Sequence, residues 1–232
     1  VIISAEPFYR QVAAGLPDDP NAARVCFMGR VADYFKGLTV EVSVCLRRPD
    51  LLAESMFKEQ AVSTDNKLEF LPWLDKFAPR FDYIARLAEF EQRFGPAKVW
   101  CFEHAVRKGL MPTFLELHGL TVPEFEDAKA DRKSVSVRSA LWVLSAKRAV
   151  EGMSASERLV RWYYAASNHA HSKLAHCRGE AFWPDVETRD RFLRAALVDF
   201  CHADFWSQPD DTPHLVNWTA EDQIVVEAHF EA

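Results

Sequence analysis

The chain has 232 residues, of which 49% are hydrophobic and 27% are charged, and its formal net charge is −6. This length and balance are typical of one large globular domain or two small ones, and they exclude a disordered or fibrous protein. The acidic charge argues against general affinity for nucleic acid or for anionic membranes. No apolar run approaches the length of a membrane span, so we expect neither a membrane span nor a nucleic-acid partner.

Three short apolar runs predict β-strands. They are residues 1–3, 39–46 and 98–103. Helical spacing of apolar residues, bounded by proline and glycine, predicts helices at 20–36, 51–62, 82–94 and 110–118. Because strands alternate with helices, we expect a mostly parallel sheet covered by helices.

The character of the sequence changes after residue 121. Helical patterns over 138–150, 154–176 and 185–201 follow one another without a strand, and residues 202–232 are aromatic and acidic with no clear pattern. We therefore predict an α/β fold in which residues 1–121 form the core and residues 122–232 form a helical part of the same domain.

The cysteines indicate a reducing environment. There are five of them, without a C-x-x-C pair. Cys45 and Cys101 lie within apolar, strand-like runs, so we interpret the cysteines as reduced core residues of a cytoplasmic protein. The sequence has no signal-peptide pattern. It opens at Val1 inside an apolar run, and we expect the natural protein to have residues before Val1.

The carboxyl ends of the predicted strands carry the candidate site, because ligands of open parallel sheets bind there. These residues are Ser4 and Glu6 after the first run, Arg47 and Arg48 after the second, and Glu103 and His104 after the third. Polar groups from three strands are thus expected at one edge of the sheet.

The most informative segment is Arg47-Arg48-Pro49-Asp50-Leu51-Leu52-Ala53-Glu54-Ser55. Pro49 suits the first position of a helix, and a helix N-terminus attracts anions. The Arg47 guanidinium can donate two parallel hydrogen bonds to a phosphate, and the Ser55 hydroxyl lies on the inward side of the helix. Two interpretations stay open: a phosphate site, or an exposed turn followed by a packed serine.

This R-x-P-x5-S pattern resembles the 3′-phosphate-binding motif of the sulfotransferases that use 3′-phosphoadenosine 5′-phosphosulfate (PAPS). Further segments are similar to that family in the same order. They are residues 1–6, Asp82-Tyr83, the helix up to Phe94-Gly95, the strand 98–103, the helix ending at His118-Gly119-Leu120 and, less specifically, residues 188–193. The resemblance implies a three-layer sandwich with a mostly parallel sheet, like that of P-loop NTPases, with PAPS as donor and adenosine 3′,5′-bisphosphate as product.

The resemblance also implies roles for individual residues. Arg47 and Ser55 would bind the 3′-phosphate. Glu6 matches the catalytic base, although it would equally serve to cap a strand end or to orient a lysine. Ser4, beside it, is a candidate donor contact. Arg132 and Lys133 lie where the family has a mobile loop near donor or acceptor, and the alternative for them is a solvated charge run.

Two further interpretations concern residues outside the expected site. Arg48 is the variable position of the motif, and we expect it to be solvated or paired with Asp50. Three histidines in 154–176, namely His169, His171 and His176, have no acidic or cysteine ligand at matching spacing, so we predict no metal site.

Taken together, the resemblance implies transfer of a sulfuryl group from PAPS to a hydroxyl or amine of a glycan or small metabolite, with the helical second part shaping the acceptor cleft. The family's lysine-bearing loop for the 5′-phosphosulfate is not found in these residues, and we expect it before Val1. The alternatives are a non-catalytic nucleotide-binding module and a P-loop kinase, which would need a Mg²⁺-binding Asp at a strand end.

Overall fold

The computed structural model describes residues 2, 20–121, 135–154, 181–197 and 219–231. In that part of the chain the strands are β1 (Ser43–Leu46) and β2 (Lys98–Cys101). The helices are α1 (Pro20–Tyr34), α2 (Pro49–Ser63), α3 (Phe70–Phe77), α4 (Tyr83–Phe94), α5 (Phe102–Lys108), α6 (Leu110–Leu117), α7 (Val137–Ala149), α8 (Val186–Leu197) and α9 (Ala220–Glu231), with a 3-10 turn at Ala78–Arg80. The protein is helix-rich with a small parallel sheet, which is compatible with the predicted α/β class.

β1 and β2 form a parallel pair. The register pairs Ser43 with Lys98 and Leu46 with Cys101, so the carboxyl ends of both strands lie at the same edge. Two parallel strands need a long connection, and the chain supplies it with the helices between them. β1 lacks residues 39–42 of the predicted run, because its partner β2 begins only at Lys98, which pairs with Ser43.

The alternation of side chains along β1 corrects one expectation. Leu46 and Cys101 are buried, at 2% and 5% exposure, whereas Cys45 is exposed. Successive side chains of a strand point to opposite faces, and Cys45 lies on the face opposite to Leu46. The interpretation of Cys45 as a core residue is therefore wrong, while that of Cys101 is confirmed.

Most predicted helices of the described ranges are confirmed with small shifts of their ends. α4 begins after Asp82, whose carboxylate accepts a hydrogen bond from the Ala85 N–H at 2.9 Å, as expected for an N-cap. It ends at Gly95 with φ of 85°, a left-handed conformation that glycine adopts without strain. The sequence did not indicate α5, which follows β2 without a connecting loop.

Several predictions lie outside the described residues. They are the helix over 154–176, the first strand apart from Ile2, and the first part of the segment 202–232. Ile2 itself is 60% exposed and is not in a strand. The described part of the acidic segment forms α9, for which no structure was predicted.

The described residues form two compact units. The first contains residues 2, 20–48, 77–121 and 196–197, and thus the β1–β2 pair. The second contains residues 49–76, 135–154, 181–195 and 219–231. The border between Arg48 and Pro49 runs through the R-x-P-x5-S segment.

In the first unit, a buried ion pair joins α1 to α4. The Arg24 Nε lies 2.7 Å from a Glu89 carboxylate oxygen, and the Arg24 side chain is 4% exposed. Arg86 contacts the other Glu89 oxygen at 2.9 Å. A buried charge needs such partners to offset its desolvation, so this pair determines how the two helices dock.

In the second unit, an aromatic cluster forms the core beside α2. Phe57 packs against Trp73 and Phe182 with ring centroids 5.3 and 4.9 Å apart, and Phe70 contacts Trp183 at 4.7 Å. These are mostly edge-to-face contacts, the geometry that aromatic rings prefer. Phe182 and Trp183 are therefore core residues.

A buried lysine joins α7 to the end of α2 in the same unit. Lys147 Nζ donates to the carbonyl of Ala61 at 2.5 Å and also to that of Thr64. These carbonyls belong to the last turn of α2 and the residue after it, where helical acceptors lack partners. Burial lowers the pKa of Lys147 to about 8. α7 also packs against α9 through Trp142, Val143 and Val226.

Candidate functional site

The carboxyl edge of the strand pair brings together residues that are distant in sequence. Arg47 and Arg48 follow β1, and Phe102 and Glu103 follow β2. We call these four residues the carboxyl edge. Because Leu46 pairs with Cys101, the residues after each strand lie side by side, and a basic and an acidic side chain meet there.

The Arg47 guanidinium contacts two of its neighbours at this edge. Its Nε lies 3.7 Å from Oε1 of Glu103, and the side chains are 34% and 16% exposed. The guanidinium carbon lies 5.3 Å from the centre of the Phe102 ring, a cation–π distance. At 3.7 Å the ion pair is too long for a hydrogen bond, and the buried Nε has no hydrogen-bond partner in the described part of the chain.

The backbone that carries Arg47 is held more tightly than its side chain. The Tyr83 hydroxyl donates to the Arg47 carbonyl at 2.5 Å. The Arg48 N–H faces both carboxylate oxygens of Glu103, at 3.3 and 3.2 Å. The turn after β1 is thus anchored from α4 and from α5, and the Arg47 side chain projects from a fixed base.

Arg48 was expected to be solvated or paired with Asp50, and its exposure tests the first of these two expectations. The residue is only 7% exposed, so the expectation of a solvated Arg48 is wrong. Its N–H hydrogen-bonds to the carboxylate of Glu103 in α5, a residue distant in the sequence. Of the two adjacent arginines, Arg47 is the accessible one.

In the second unit, α2 begins at Pro49, as predicted from the proline preference for the first helical position. Asp50 in the first turn is buried at 1% exposure. Burial, and next the Asp50 charge, raise the pKa of Glu54 one turn later. The Trp183 indole N–H donates to Glu54 at 3.0 Å. The start of α2 therefore combines two carboxyl groups, one of which binds its proton more strongly than usual.

Ser55 lies on α2 beside Glu54. It is half-buried, and its hydroxyl has no hydrogen bond with any residue that the structure describes. An uncommitted hydroxyl is the state expected of a ligand contact, and equally of a serine that bonds to water. Arg47 and Ser55 belong to different units.

Four other predicted site residues lie outside the described residues. They are Ser4, Glu6, Arg132 and Lys133. Their proposed roles as base and donor contacts therefore stay predictions.

The sequence did not predict that Glu103, Phe102 and Tyr83 contact Arg47. Glu103 was recognised as a strand-end residue, but its contact with Arg47 depends on the parallel register of β1 and β2. Asp82-Tyr83 was noticed only through the family resemblance, which does not indicate that the Tyr83 hydroxyl binds the Arg47 carbonyl. The expected proximity of the two strand ends was the one sequence signal that could have indicated the contact between Arg47 and Glu103.

A second charged cluster lies at the opposite end of the strands, and we call it the amino edge. Its members are Glu41, Lys98 and His118. Glu41 Oε1 lies 3.0 Å from Lys98 Nζ and also contacts His118 Nδ1. The Lys98 hydrogen bond, and more weakly that of His118, lower the pKa of Glu41. The His118 ring packs 4.6 Å from the Phe114 ring.

The fold and the site define a mixed α/β protein with an arginine–glutamate contact at the carboxyl edge of a parallel strand pair. Comparisons with protein-family models, curated proteins and solved structures find no match to this chain. None of the helices in the described ranges combines the length and apolarity needed to cross a membrane. No group of three His, Cys, Asp or Glu side chains there can hold a metal ion.

Proposed function

We propose that the chain binds a 3′-phosphorylated adenine nucleotide through Arg47 and Ser55, and that it is a sulfotransferase with PAPS as donor. The observation that carries the proposal is the state of Arg47. Its guanidinium projects from an anchored turn at the carboxyl edge, its side chain is 34% exposed, and it has no hydrogen bond with the described residues. Arginine in such a state suits two-pronged phosphate binding.

The surroundings of the motif support the same proposal. Pro49 begins α2 immediately after the arginines, so the chain has the strand, arginine and helix order of a phosphate site at a strand end. The Ser55 hydroxyl has no hydrogen bond with the residues that the structure describes. The complete fold would then be a three-layer sandwich of the P-loop NTPase type, with residues outside the described ranges contributing Ser4, Glu6, Arg132 and Lys133.

In the proposed reaction an acceptor hydroxyl or amine attacks the sulfur of PAPS. A new bond forms between the acceptor atom and sulfur, and the bond between sulfur and the bridging phosphate oxygen breaks. The 5′-phosphate leaves with that electron pair as part of adenosine 3′,5′-bisphosphate, and Glu6 takes the acceptor proton. Like phosphoryl transfer, this reaction depends mainly on positioning and charge stabilisation. The acceptor is a glycan or a small metabolite.

A non-catalytic nucleotide-binding module is the second candidate, and one observation favours it. The lysine-bearing loop that holds the 5′-phosphosulfate in the resembled family is not found in these 232 residues, while Arg47 and Ser55 of the 3′-phosphate motif are present. Such a module would bind the product nucleotide and PAPS without transferring the sulfuryl group.

The first experiment is a calorimetric titration with adenosine 3′,5′-bisphosphate and, as the matched ligand without the 3′-phosphate, 5′-AMP. The proposal expects the bisphosphate to bind at least about 10-fold more tightly, which corresponds to the ~1.5 kcal/mol of a charge-assisted hydrogen bond. Equal affinities contradict the proposed 3′-phosphate site. Ser55→Ala should reduce the difference, whereas Ser63→Ala at the other end of α2 should not.

A second experiment separates the enzyme from the module. Turnover of PAPS is measured with a panel of hydroxyl and amine acceptors, using the wild type and Glu6→Gln. The enzyme proposal expects Glu6→Gln to lower turnover by ~10² or more with little change in donor affinity. Tight binding of the bisphosphate without turnover of any acceptor favours the module, and unchanged turnover in Glu6→Gln removes Glu6 as the base.

A further inference from the structure

Glu103 is the acidic member of the carboxyl edge. It is the second residue of α5 and follows β2 directly. Its two carboxylate oxygens face the Arg48 N–H at 3.3 and 3.2 Å, and Oε1 lies 3.7 Å from Arg47 Nε. The Cys101 thiol donates to Oε2 at 3.4 Å. One side chain thus links the ends of both strands.

These contacts occupy one edge and one face of the Arg47 guanidinium. The Nε edge is turned towards Glu103, and the Phe102 ring covers a face at 5.3 Å. The two Nη groups have no hydrogen bond with the described residues. A planar guanidinium with a carboxylate beside its Nε edge and a ring across one face presents its two Nη groups in one direction, which is the geometry that a phosphate needs.

We propose that Glu103 is a positioning residue that orients Arg47 for the 3′-phosphate. It thereby makes the site prefer the 3′-phosphate of a bound nucleotide over free inorganic phosphate. This inference rests on the proposed nucleotide function. The negative charge of Glu103 lowers the attraction of the edge for simple anions, because it offsets the charge of Arg47. A phosphate held by the rest of the nucleotide overcomes that loss through two aligned hydrogen bonds, whereas free inorganic phosphate does not.

The variants separate orientation from folding. Glu103→Gln retains an acceptor for the Arg48 N–H and loses the charge, and Glu103→Asp retains the charge on a shorter side chain. Glu116→Gln is the matched control, because Glu116 is an exposed carboxylate of the same unit and its loss changes the net charge equally. Each variant is titrated with adenosine 3′,5′-bisphosphate, 5′-AMP and inorganic phosphate.

We expect Glu103→Gln to lower the affinity ratio of the bisphosphate over 5′-AMP by about threefold or more, and to strengthen inorganic phosphate binding, because a free guanidinium attracts anions without selecting their position. Glu103→Asp should lie between Glu103→Gln and the wild type, and Glu116→Gln should match the wild type. If the wild type discriminates the two nucleotides and the affinity ratio of the bisphosphate over 5′-AMP is unchanged in Glu103→Gln, the inference about Glu103 is overturned. The proposed function is then unaffected.

A measurement without nucleotide keeps the two questions apart. The Arg47 Nε–H resonance, assigned by its loss in Arg47→Lys, reports the environment of the guanidinium in the free protein. A shift of this resonance in Glu103→Gln and none in Glu116→Gln supports the positioning role. This conclusion does not depend on nucleotide binding. If the wild type fails to discriminate the two nucleotides, that failure contradicts the proposed function only. An unchanged resonance in Glu103→Gln overturns the positioning role.

Discussion

The two ends of the β1–β2 pair each hold one glutamate among basic side chains, but at different distances. At the amino edge, Glu41 contacts Lys98 at 3.0 Å and also contacts His118. At the carboxyl edge, Glu103 lies 3.7 Å from Arg47 and uses its oxygens mainly for the Arg48 N–H. The glutamate of the first cluster has close basic partners, while the Arg47 side chain of the second has no hydrogen bond with the described residues.

This difference separates a structural cluster from a candidate binding site. A cation that already has a close carboxylate gains little from an added anion, because the ligand must compete with the internal partner. Arg47 has only a long contact with Glu103, and its side chain is 34% exposed. Both edges carry positive groups, but we expect only the carboxyl edge to bind a phosphate. Four substitutions test this difference between the two edges, in order of decreasing expected effect.

The largest expected effect is the loss of nucleotide binding in Arg47→Ala. We expect affinity for adenosine 3′,5′-bisphosphate to fall at least about 10-fold, as for the loss of a charge-assisted hydrogen bond. Lys98→Ala removes one positive charge from the amino edge and is the matched control. Its affinity should stay within about twofold of the wild type, since separate sites act independently. Calorimetry that finds equal losses in both variants would show an effect of net charge alone.

The carboxyl edge illustrates which parts of a site can be predicted from sequence. Arg47 was predictable because an apolar strand, a strand-end arginine and a helix-starting proline are local features, each with its own physical cause. The contact of Glu103 with the Arg48 N–H joins residues 55 positions apart. It depends on the register between β1 and β2, which no local pattern specifies.

The same limit applies to the fold. The ends of α4 were predictable from Asp82 and Gly95, which act within one turn of the chain. The length of β1 was not, because a strand extends only as far as its partner, and β2 begins only at Lys98, opposite Ser43. The burial of Arg48 likewise departs from the usual preference of arginine for the surface, and its N–H bonds to a carboxylate 55 positions away in the sequence.

The second prediction concerns the stability that the amino edge provides. His118→Ala removes the contact with Glu41 and the packing of the ring against Phe114, so we expect the free energy of unfolding to fall by about 1–2 kcal/mol. Urea denaturation measures this change. His104→Ala, at an exposed position of α5, should change it by less than about 0.5 kcal/mol. Nucleotide affinity should not change in either variant, and a loss of affinity in His118→Ala would contradict the separation of the two edges.

A smaller effect is expected from Tyr83→Phe at the carboxyl edge. The change deletes the hydroxyl that donates to the Arg47 carbonyl at 2.5 Å and keeps the buried ring. We expect a loss of about 1 kcal/mol in the free energy of unfolding, the usual net value of such a hydrogen bond. Nucleotide affinity should decrease together with it, because the base of the Arg47 side chain is less fixed. Retained affinity would show that Tyr83 serves stability alone.

The smallest expected effect is a change in the pH dependence of stability in Glu41→Gln. Lys98, and then His118, lower the pKa of Glu41 from its ordinary 4.5. A carboxylate whose pKa is lower in the folded protein stabilises it above the unfolded pKa, and this contribution disappears as the pH falls through the lowered value. The urea midpoint of the wild type should therefore exceed that of Glu41→Gln at neutral pH, and the difference should shrink below pH 4.5. If the difference between the two urea midpoints stays constant on acidification, the amino edge is stabilised by packing rather than by charge. The contrast with the carboxyl edge would then lie in side-chain packing and not in charge neutralisation.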